Sequence, residues 1–367
     1  MADFNSNLLW FIAGILAGYI TNLSSPPIYN WLRLKIKGWL LRRSTKRKTS
    51  IMIGPSIIKE RLTIGDLSIN WIILQFAHYL PGRIRTSYEN MEQPLHPDFA
   101  RMKIERLRDR KKREAKGEMN LPHNGPMYKL ERFDVGIREV MDGEEVPILQ
   151  LSFRPTDYYS QLVTDLNIGD PTREKYAHSA DITQRPISEF ASILGVNINI
   201  ITSDGYLIVT EKSNETHVAG GQLHTSVHEN LLRPVDTDAK GAPEPFRCAV
   251  RGIQEEIGLV VSSGDVEYTA FGVYPDTCQY SLIGWIRVAE TRQEVEDVRS
   301  QAIPKDKFEN RRLIFIPCNP VSVANFVFEY SDRWSSIGES SVVLSLFQLG
   351  FSQKEITQAF RRKKDRM

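Results

Sequence analysis

The chain has 367 residues, of which 41% are hydrophobic and 25% charged, a globular composition that excludes a disordered or fibrous protein. Its three cysteines, Cys248, Cys278 and Cys318, lie too far apart to indicate a disulfide framework or a cysteine zinc site, which fits a reducing compartment. The net charge of +2 is unevenly divided: residues 1–116 carry 21 Lys and Arg against 9 Asp and Glu, and residues 117–367 carry 26 against 36. The basic front part therefore predicts an anionic partner.

The first predicted element is a transmembrane helix. Leu8–Leu23 contains no charged residue and, as a helix, would span roughly 24 Å of the about 30 Å apolar core of a bilayer. Eight Lys and Arg follow at 33–48, whereas only Asp3 precedes the span. The positive-inside rule then predicts a single-pass protein of the cell membrane whose C-terminal domain is cytoplasmic. A buried core helix is the alternative interpretation.

Residues 1–44 are predicted to contain this helix and a basic juxtamembrane segment that lies on the anionic headgroups of the lipid bilayer. Residues 45–127 are predicted to be a helical, basic linker region. Within it, the apolar run Trp71–Ala77 is too short to span a membrane and is assigned to a packed helix. Residues 101–116 hold nine basic and three acidic residues and predict a solvated helix. No aromatic residues are interleaved there for stacking on bases, so nucleic acid is not the predicted partner.

Residues 128–367 show the alternating strand and helix patterns that predict an α+β fold, with a mixed sheet and packed helices. Asp204-Gly205, between two apolar β-branched runs, predicts a hairpin, and Asp142-Gly143 predicts a second turn. The predicted strands are Tyr128–Phe133, Ile148–Phe153, Asn197–Thr202, Tyr206–Thr210, Glu267–Tyr274, Ser281–Val288 and Leu313–Ile316. The predicted helices are Thr156–Leu166, Pro186–Leu194, 244–257, Val321–Glu329, Ser340–Phe347 and Gln353–Lys363.

The predicted helix at 244–257 carries the residues that are the best candidates for binding a metal ion. Its apolar side chains recur at helical spacing and predict one face that packs on the sheet. Arg251, Glu255 and Glu256 fall away from that face, and Arg251 can pair with Glu255 four residues later. Two adjacent carboxylates suit Mg²⁺ or Mn²⁺, hard cations that prefer oxygen ligands and can neutralise a diphosphate. The alternative is an ordinary solvated helix face.

The segment Arg251–Leu259, RGIQEEIGL, resembles the second half of the Nudix box, whose family pattern is G-x5-E-x7-R-E-U-x-E-E-x-G-U, with U apolar. The resemblance covers about residues 195–320 and implies a Nudix-like mixed-sheet α/β/α sandwich, with C-terminal helices at 321–364. It also implies that Glu255 and Glu256 are metal ligands and that Arg251 orients them. These three residues form the candidate catalytic set.

The chain departs from the family pattern at two positions. Gly252 stands where the family carries the glutamate that often acts as general base, and Pro243 stands where the family has its first glutamate. Glu229 is the nearby carboxylate that we expect to replace the missing one, as a metal ligand or as a base. The other candidate bases are Glu290, Glu309 and a metal-bound hydroxide.

His224 and His228 form a weaker pattern. Four residues apart, they would share one face of a helix. Without a third placed ligand, this spacing usually arises by chance and does not by itself define a metal site.

The box-like segment and the predicted membrane helix are compatible with two main functions. The first is a membrane-anchored, metal-dependent Nudix-like hydrolase of a substrate that links a nucleoside diphosphate to another group, with loops at 215–243 and 275–310 setting the substrate. The intact Arg251, Glu255 and Glu256 favour it. The second is a catalytically impaired sensor or effector that binds a nucleotide-type small molecule and changes its homo-oligomeric state or the membrane, by analogy with bacterial signalling and antiviral defence proteins. Gly252 favours the sensor. A structural membrane adaptor without nucleotide affinity is the third interpretation.

Overall fold

The predicted membrane span at Leu8–Leu23 and the juxtamembrane segment after it lie outside the part of the chain that the structure describes. In that part, no helix is both long and apolar enough to cross a membrane. The structure is a computed structural model, and the residues it describes are 60–118, 121, 123–213, 220–301 and 310–361.

The described residues form two sheets and a set of short helices. The strands are β1 Glu60–Ile64, β2 Leu67–Tyr79, β3 Ile84–Tyr88, β4 Pro126–Met141, β5 Glu144–Asp157, β6 Leu194–Ile201, β7 Tyr206–Lys212, β8 Leu223–His224, β9 Val227–Asn230, β10 Glu267–Tyr274, β11 Gln279–Arg287 and β12 Asn310–Pro317. The α-helices are α1 Pro97–Ala115, α2 Tyr158–Val163, α3 Pro171–Ser179, α4 Pro245–Gly252, α5 Arg292–Gln301, α6 Pro320–Glu329, α7 Ser336–Gln348 and α8 Gln353–Ala359.

The larger sheet is mixed, which confirms the predicted α+β class. Its main strands run in the order β1-β2-β10-β11-β6-β7-β12, while β8 pairs with β7 and β9 pairs with β6. The β11–β6 pair is parallel, and the other neighbours are antiparallel. The predicted hairpin at Asp204-Gly205 joins β6 to β7, and Gly205 takes the left-handed conformation, with φ 87°, that favours glycine in such a turn.

Each face of the larger sheet is covered by its own hydrophobic core, because successive side chains of a strand point to opposite faces. On β7, Ile208 joins the core that contains Ile253, from the helical segment after α4. Its neighbours Leu207 and Val209 join a second core that contains Val343 of α7. The helix with the box-like residues therefore packs against one face of the sheet, and the C-terminal helices pack against the other.

The smaller sheet has the order β3-β5-β4 and is dominated by the long β4–β5 hairpin. The hairpin turns at Asp142-Gly143, as predicted, and both residues have positive φ angles of 52° and 81°. Two consecutive positive φ angles are what a two-residue type I′ turn requires.

The helix predicted over Trp71–Ala77 is wrong, because this run lies in β2, between β1 and β10 in the larger sheet. The run is buried on both faces of the sheet, so its apolar residues lack the alternation that marks a half-exposed strand. Gly272 of β10 allows β10 to lie close to β2, since a Cβ at this position would lie 2.4 Å from the Ile72 carbonyl oxygen. Residues 60–88 of the expected helical linker thus form the strands β1, β2 and β3 with their turns, whereas the helix expected at 101–116 is confirmed by α1.

The helix predicted over Pro186–Leu194 is also wrong. The segment contains turns and ends where β6 begins at Leu194. Ser192 has a positive φ of 43°, which a helix excludes. Its amide and that of Ile193 donate to the buried carboxylate of Asp165, so a side chain replaces the backbone acceptors of a helix.

Candidate functional site

The helix that carries the box-like residues begins at Pro245 and continues beyond α4 as a π-helical turn, Ile253–Ile257. It ends at Gly258, whose φ of 91° is the left-handed conformation expected for the glycine that closes a helix. The predicted apolar face is confirmed, since the buried core contains Phe246, Ala249, Ile253 and Ile257. Glu255 and Glu256 both lie in this π turn, a feature often found at functional sites, and their side chains are 19% and 1% exposed.

Arg251 is the centre of an ion-pair cluster. Its Nε and Nη2 atoms each donate to one carboxylate oxygen of Asp236 at 2.9 Å, a two-point contact. Its Nη1 atom donates to Glu229 at 3.1 Å and to Glu255 at 2.7 Å, so the predicted Arg251–Glu255 pair is present. Burial alone would lower the pKa of Arg251, but the hydrogen bonds to Asp236 and the charge of Glu229 raise it above its ordinary value. The guanidinium stays protonated and fixes three carboxylates.

Asp236 is the member of this cluster that the sequence did not predict. Its side chain is completely buried, and it also accepts a hydrogen bond from the Leu232 amide at 2.9 Å. The residue lies in the loop between β9 and α4, fifteen positions before Arg251, where no helical or strand spacing relates the two.

Glu256 points into the interior, where its side chain is 1% exposed. One carboxylate oxygen accepts from the His228 amide at 3.0 Å. The other accepts from Lys212 Nζ at 3.2 Å and from Asn310 Nδ2 at 2.6 Å. Three donors, one of them the buried Lys212 ammonium, therefore satisfy this carboxylate within the fold.

Glu229 occupies the space beside Gly252. A Cβ atom at position 252 would lie 2.5 Å from Glu229 Cγ and 2.7 Å from Val227 Cγ1, distances that real Cβ atoms essentially never show. Gly252 thus allows the β9 side chains to lie directly against the helix. The structure brings the Glu229 carboxylate next to the position where the family carries its base, on a neighbouring strand instead of on the helix.

Replacing Gly252 by alanine is expected to destabilise the protein by about 1–3 kcal/mol, because the new Cβ overpacks Glu229 and Val227. Helix propensity alone would predict that the free energy of unfolding rises by up to about 1 kcal/mol. The sign of the measured change therefore shows whether overpacking or helix propensity dominates. Urea unfolding followed by tryptophan fluorescence measures it. Gly264→Ala is the control, since a Cβ there meets nothing closer than 3.7 Å. A stabilised Gly252→Ala protein would contradict the close packing.

His224 and His228 lie on β8 and β9, not on one face of a helix as expected. Their ring centroids are 4.6 Å apart. His224 Nδ1 accepts from the Thr225 amide at 3.0 Å. Burial, followed by the charges of His228 and Lys212, lowers the pKa of His224 well below its ordinary value of 6.5. The buried His224 is therefore neutral at neutral pH.

This neutral histidine predicts a loss of stability in acid. Below about pH 6.5 the unfolded chain binds a proton at residue 224 that the folded chain does not, so stability falls as pH falls through that value. Between about pH 6.5 and pH 5 the native protein should lose about 1–2 kcal/mol more than His224→Gln in urea unfolding. His178→Gln, at a side chain 79% exposed, should follow the native profile. Parallel profiles for the native protein and His224→Gln would contradict the prediction.

The three predicted metal ligands differ in whether their carboxylate oxygens are available to a divalent cation. Glu229 and Glu255 are partly exposed carboxylates, 16% and 19% exposed, and their oxygens are of the kind that Mg²⁺ and Mn²⁺ bind. Glu256 does not fit as it is arranged, because Lys212 and two other donors already bind its oxygens. Within the described ranges, no group of three or more His, Cys, Asp or Glu side chains has an arrangement that could hold a metal ion.

The other two candidate glutamate bases are Glu290 and Glu309. Glu290 follows β11, and its carbonyl oxygen accepts a hydrogen bond from the Ser203 amide at 2.8 Å. Glu309 lies outside the described residues. Glu229 is thus the candidate base whose contacts with Arg251 and Gly252 are defined.

Comparisons with known proteins give only distant likenesses. No family model matches the chain, and no curated protein matches it. Among solved structures, the chain is similar to DR0079 from Deinococcus radiodurans, with a TM-score of 0.30 and 12% identity over 42% of this chain and 81% of that one. It is also similar to a MutT/nudix family protein from Enterococcus faecalis, with a TM-score of 0.25 and 9% identity over 55% and 89% of the two chains.

Proposed function

We propose that this protein is a Nudix-like nucleotide-binding protein anchored in the cell membrane. Its main role is to sense the nucleotide by binding it, and not to hydrolyse it. The observation that carries this proposal is the state of Glu256. This carboxylate is buried and bound by Lys212, Asn310 and the His228 amide, so it serves the fold and is not available to a ligand-bound cation. Gly252 supports the same conclusion, because it has no side chain to accept a proton.

The ligand class follows from the resemblance of the box-like segment. A nucleoside diphosphate linked to another group would present its phosphates near the partly exposed Glu229 and Glu255. When bound there, Mg²⁺ or Mn²⁺ would neutralise part of the phosphate charge. Ligand binding would then change the homo-oligomeric state or the membrane anchor, the role suggested above by analogy with signalling and defence proteins.

The test is calorimetric binding of a nucleotide panel to the full-length protein in detergent with Mg²⁺, with phosphate and nucleotide release measured in the same samples. The expected result is binding without release, and a Kd raised about tenfold in Glu255→Gln. Glu296→Gln, which removes the same charge from an exposed position on α5, should leave the Kd unchanged. Release that depends on Glu255 would establish a hydrolase, and absence of binding across the panel would reject both functions for those ligands.

A specific observation favours the hydrolase as a second candidate. Glu229 Cγ lies where the side chain of a box glutamate would leave the helix at position 252, and its carboxylate is bound by Arg251. A carboxylate on β9 can therefore stand in for the missing base, as a group that accepts a proton from water. The hydrogen bond from Arg251 holds this carboxylate in a fixed orientation.

A residue exchange tests this second candidate. If Glu229 is the base, Glu229→Gln should lower turnover by about 10²–10⁴-fold. The exchange Glu229→Gly/Gly252→Glu returns the carboxylate to the helix and frees the space it needs, so it should recover part of the lost rate. Glu267→Gln, elsewhere on the sheet, serves as the control for charge removal. Turnover that survives Glu229→Gln would exclude Glu229 as the base.

A further inference from the structure

α1 is a helix of 19 residues that is attached to the rest of the fold along one side only. Phe99 is buried in a small core with Val163 and Phe190, and Lys103 binds Asp157 and the Ser160 hydroxyl. At 1.5 Å per residue the helix is roughly 28 Å long. Its opposite side faces away from these contacts.

That opposite side carries a continuous row of exposed residues, which we call the basic stripe. The residues recur three, four or seven positions apart, the spacing that places side chains on one face of a helix. Acidic Asp109 and Glu114 lie on the flanks of this row, whereas exposed Glu105, four residues after Arg101 and three before Arg108, lies within the same face. The basic stripe consists of Arg101, Ile104, Arg108, Lys111 and Lys112, all of which are exposed.

Most cations of the basic stripe form no ion pair with the residues that the structure describes. The helix neutralises cations on its flanks, where Arg110 pairs with Glu114 at 2.8 Å and Arg113 pairs with Glu118 at 2.6 Å. In the stripe, Arg101 pairs with Asp98 at 2.8 Å. Within the described part of the chain, Arg108, Lys111 and Lys112 form no ion pair, so the three cations outnumber the single acidic residue, Glu105, on this face.

We infer that the basic stripe is a docking surface for an anionic lipid bilayer. A straight helix with cations in one row can place all of them on a flat layer of phosphate and carboxylate headgroups. Ile104, 50% exposed in the middle of the row, adds an apolar side chain that can enter the interface between headgroups and acyl chains. The stripe has no aromatic residue to stack on bases, which favours lipid over nucleic acid. This surface is separate from the candidate site and does not depend on the proposed function.

Hydrogen exchange of the full-length protein tests the inference, in nanodiscs of phosphatidylcholine alone and in nanodiscs in which about a third of the lipid is phosphatidylserine. Amides of residues 104–116 should exchange several-fold more slowly in the anionic nanodiscs, since each Lys or Arg near such a surface favours contact by about fivefold. High salt should remove the difference. Arg108→Gln/Lys111→Gln/Lys112→Gln should abolish it without disturbing the core.

The matched control is Lys175→Gln/Lys240→Gln/Lys354→Gln, which removes the same charge from exposed positions elsewhere and should keep the slowing. Equal exchange of 104–116 in both kinds of nanodisc would overturn the inference. Slowing by duplex or single-stranded oligonucleotides, but not by phosphatidylserine, would overturn it in favour of nucleic acid. Because nucleotide binding is measured separately, failure of this surface would leave the proposed function untouched.

Discussion

Asp236→Ala is expected to destabilise the protein by about 3–5 kcal/mol, the range found when one partner of a buried ion pair is removed. Asp236 is fully buried and binds Arg251 through both carboxylate oxygens, so its loss removes the two-point contact that the guanidinium makes through Nε and Nη2. The Leu232 amide loses an acceptor as well. Urea unfolding of the full-length protein in detergent, followed by tryptophan fluorescence, measures the change.

Asp297→Ala is the matched control, because Asp297 is exposed on α5 and its side chain accepts a hydrogen bond from the also exposed Gln293 at 3.1 Å. Its effect should lie within about 0.5 kcal/mol, as for most surface substitutions. A loss below about 1 kcal/mol for Asp236→Ala would mean that the cluster around Arg251 contributes no more than an exposed pair. The anchoring role of Asp236 would then be wrong.

Lys212→Met is also expected to lower the free energy of unfolding by about 3–5 kcal/mol, because it leaves the buried Glu256 carboxylate without its ammonium partner. Adding Glu256→Gln removes the uncompensated charge and should recover about 1–3 kcal/mol, so the two changes are far from additive. The paired substitutions are measured by the same unfolding experiment, as a double-mutant cycle.

Lys240→Met, at an exposed lysine in the loop before α4, provides the control for loss of a positive charge. It should change stability by less than about 0.5 kcal/mol. If the effects of Lys212→Met and Glu256→Gln simply add, the two side chains do not depend on each other. The assignment of Glu256 to the fold, on which the sensor proposal rests, would then lose its support.

The sequence predicted the fold best where local chemistry and tertiary structure agree. The two Asp-Gly turns and the glycine that ends the box helix are confirmed, because a positive φ is a local requirement that few residues meet. Trp71–Ala77 was assigned wrongly because a strand buried on both faces has the same continuous apolar pattern as a short buried helix. Length and composition alone do not separate these two structures.

The candidate site was predicted only in part, for a similar reason. The Arg251–Glu255 contact follows from helical spacing and is present. The buried position of Glu256 involves contacts with Lys212 and Asn310, which come from distant strands that no local pattern connects with the helix. The neighbourhood of Glu229 and Gly252 was suggested by their proximity in sequence, and its physical reason, a space that only glycine leaves open, required the structure.

The most direct test of the central claim is to recover the nucleotide from its complex with the full-length protein after prolonged incubation with Mg²⁺ and to determine its mass. A sensor whose Glu256 is held by Lys212 and whose position 252 has no base should return the ligand intact, in an amount that matches the occupied sites. Recovery of cleaved products from the native protein, but not from Glu229→Gln, would contradict that account and would make Glu229 the base of an active hydrolase.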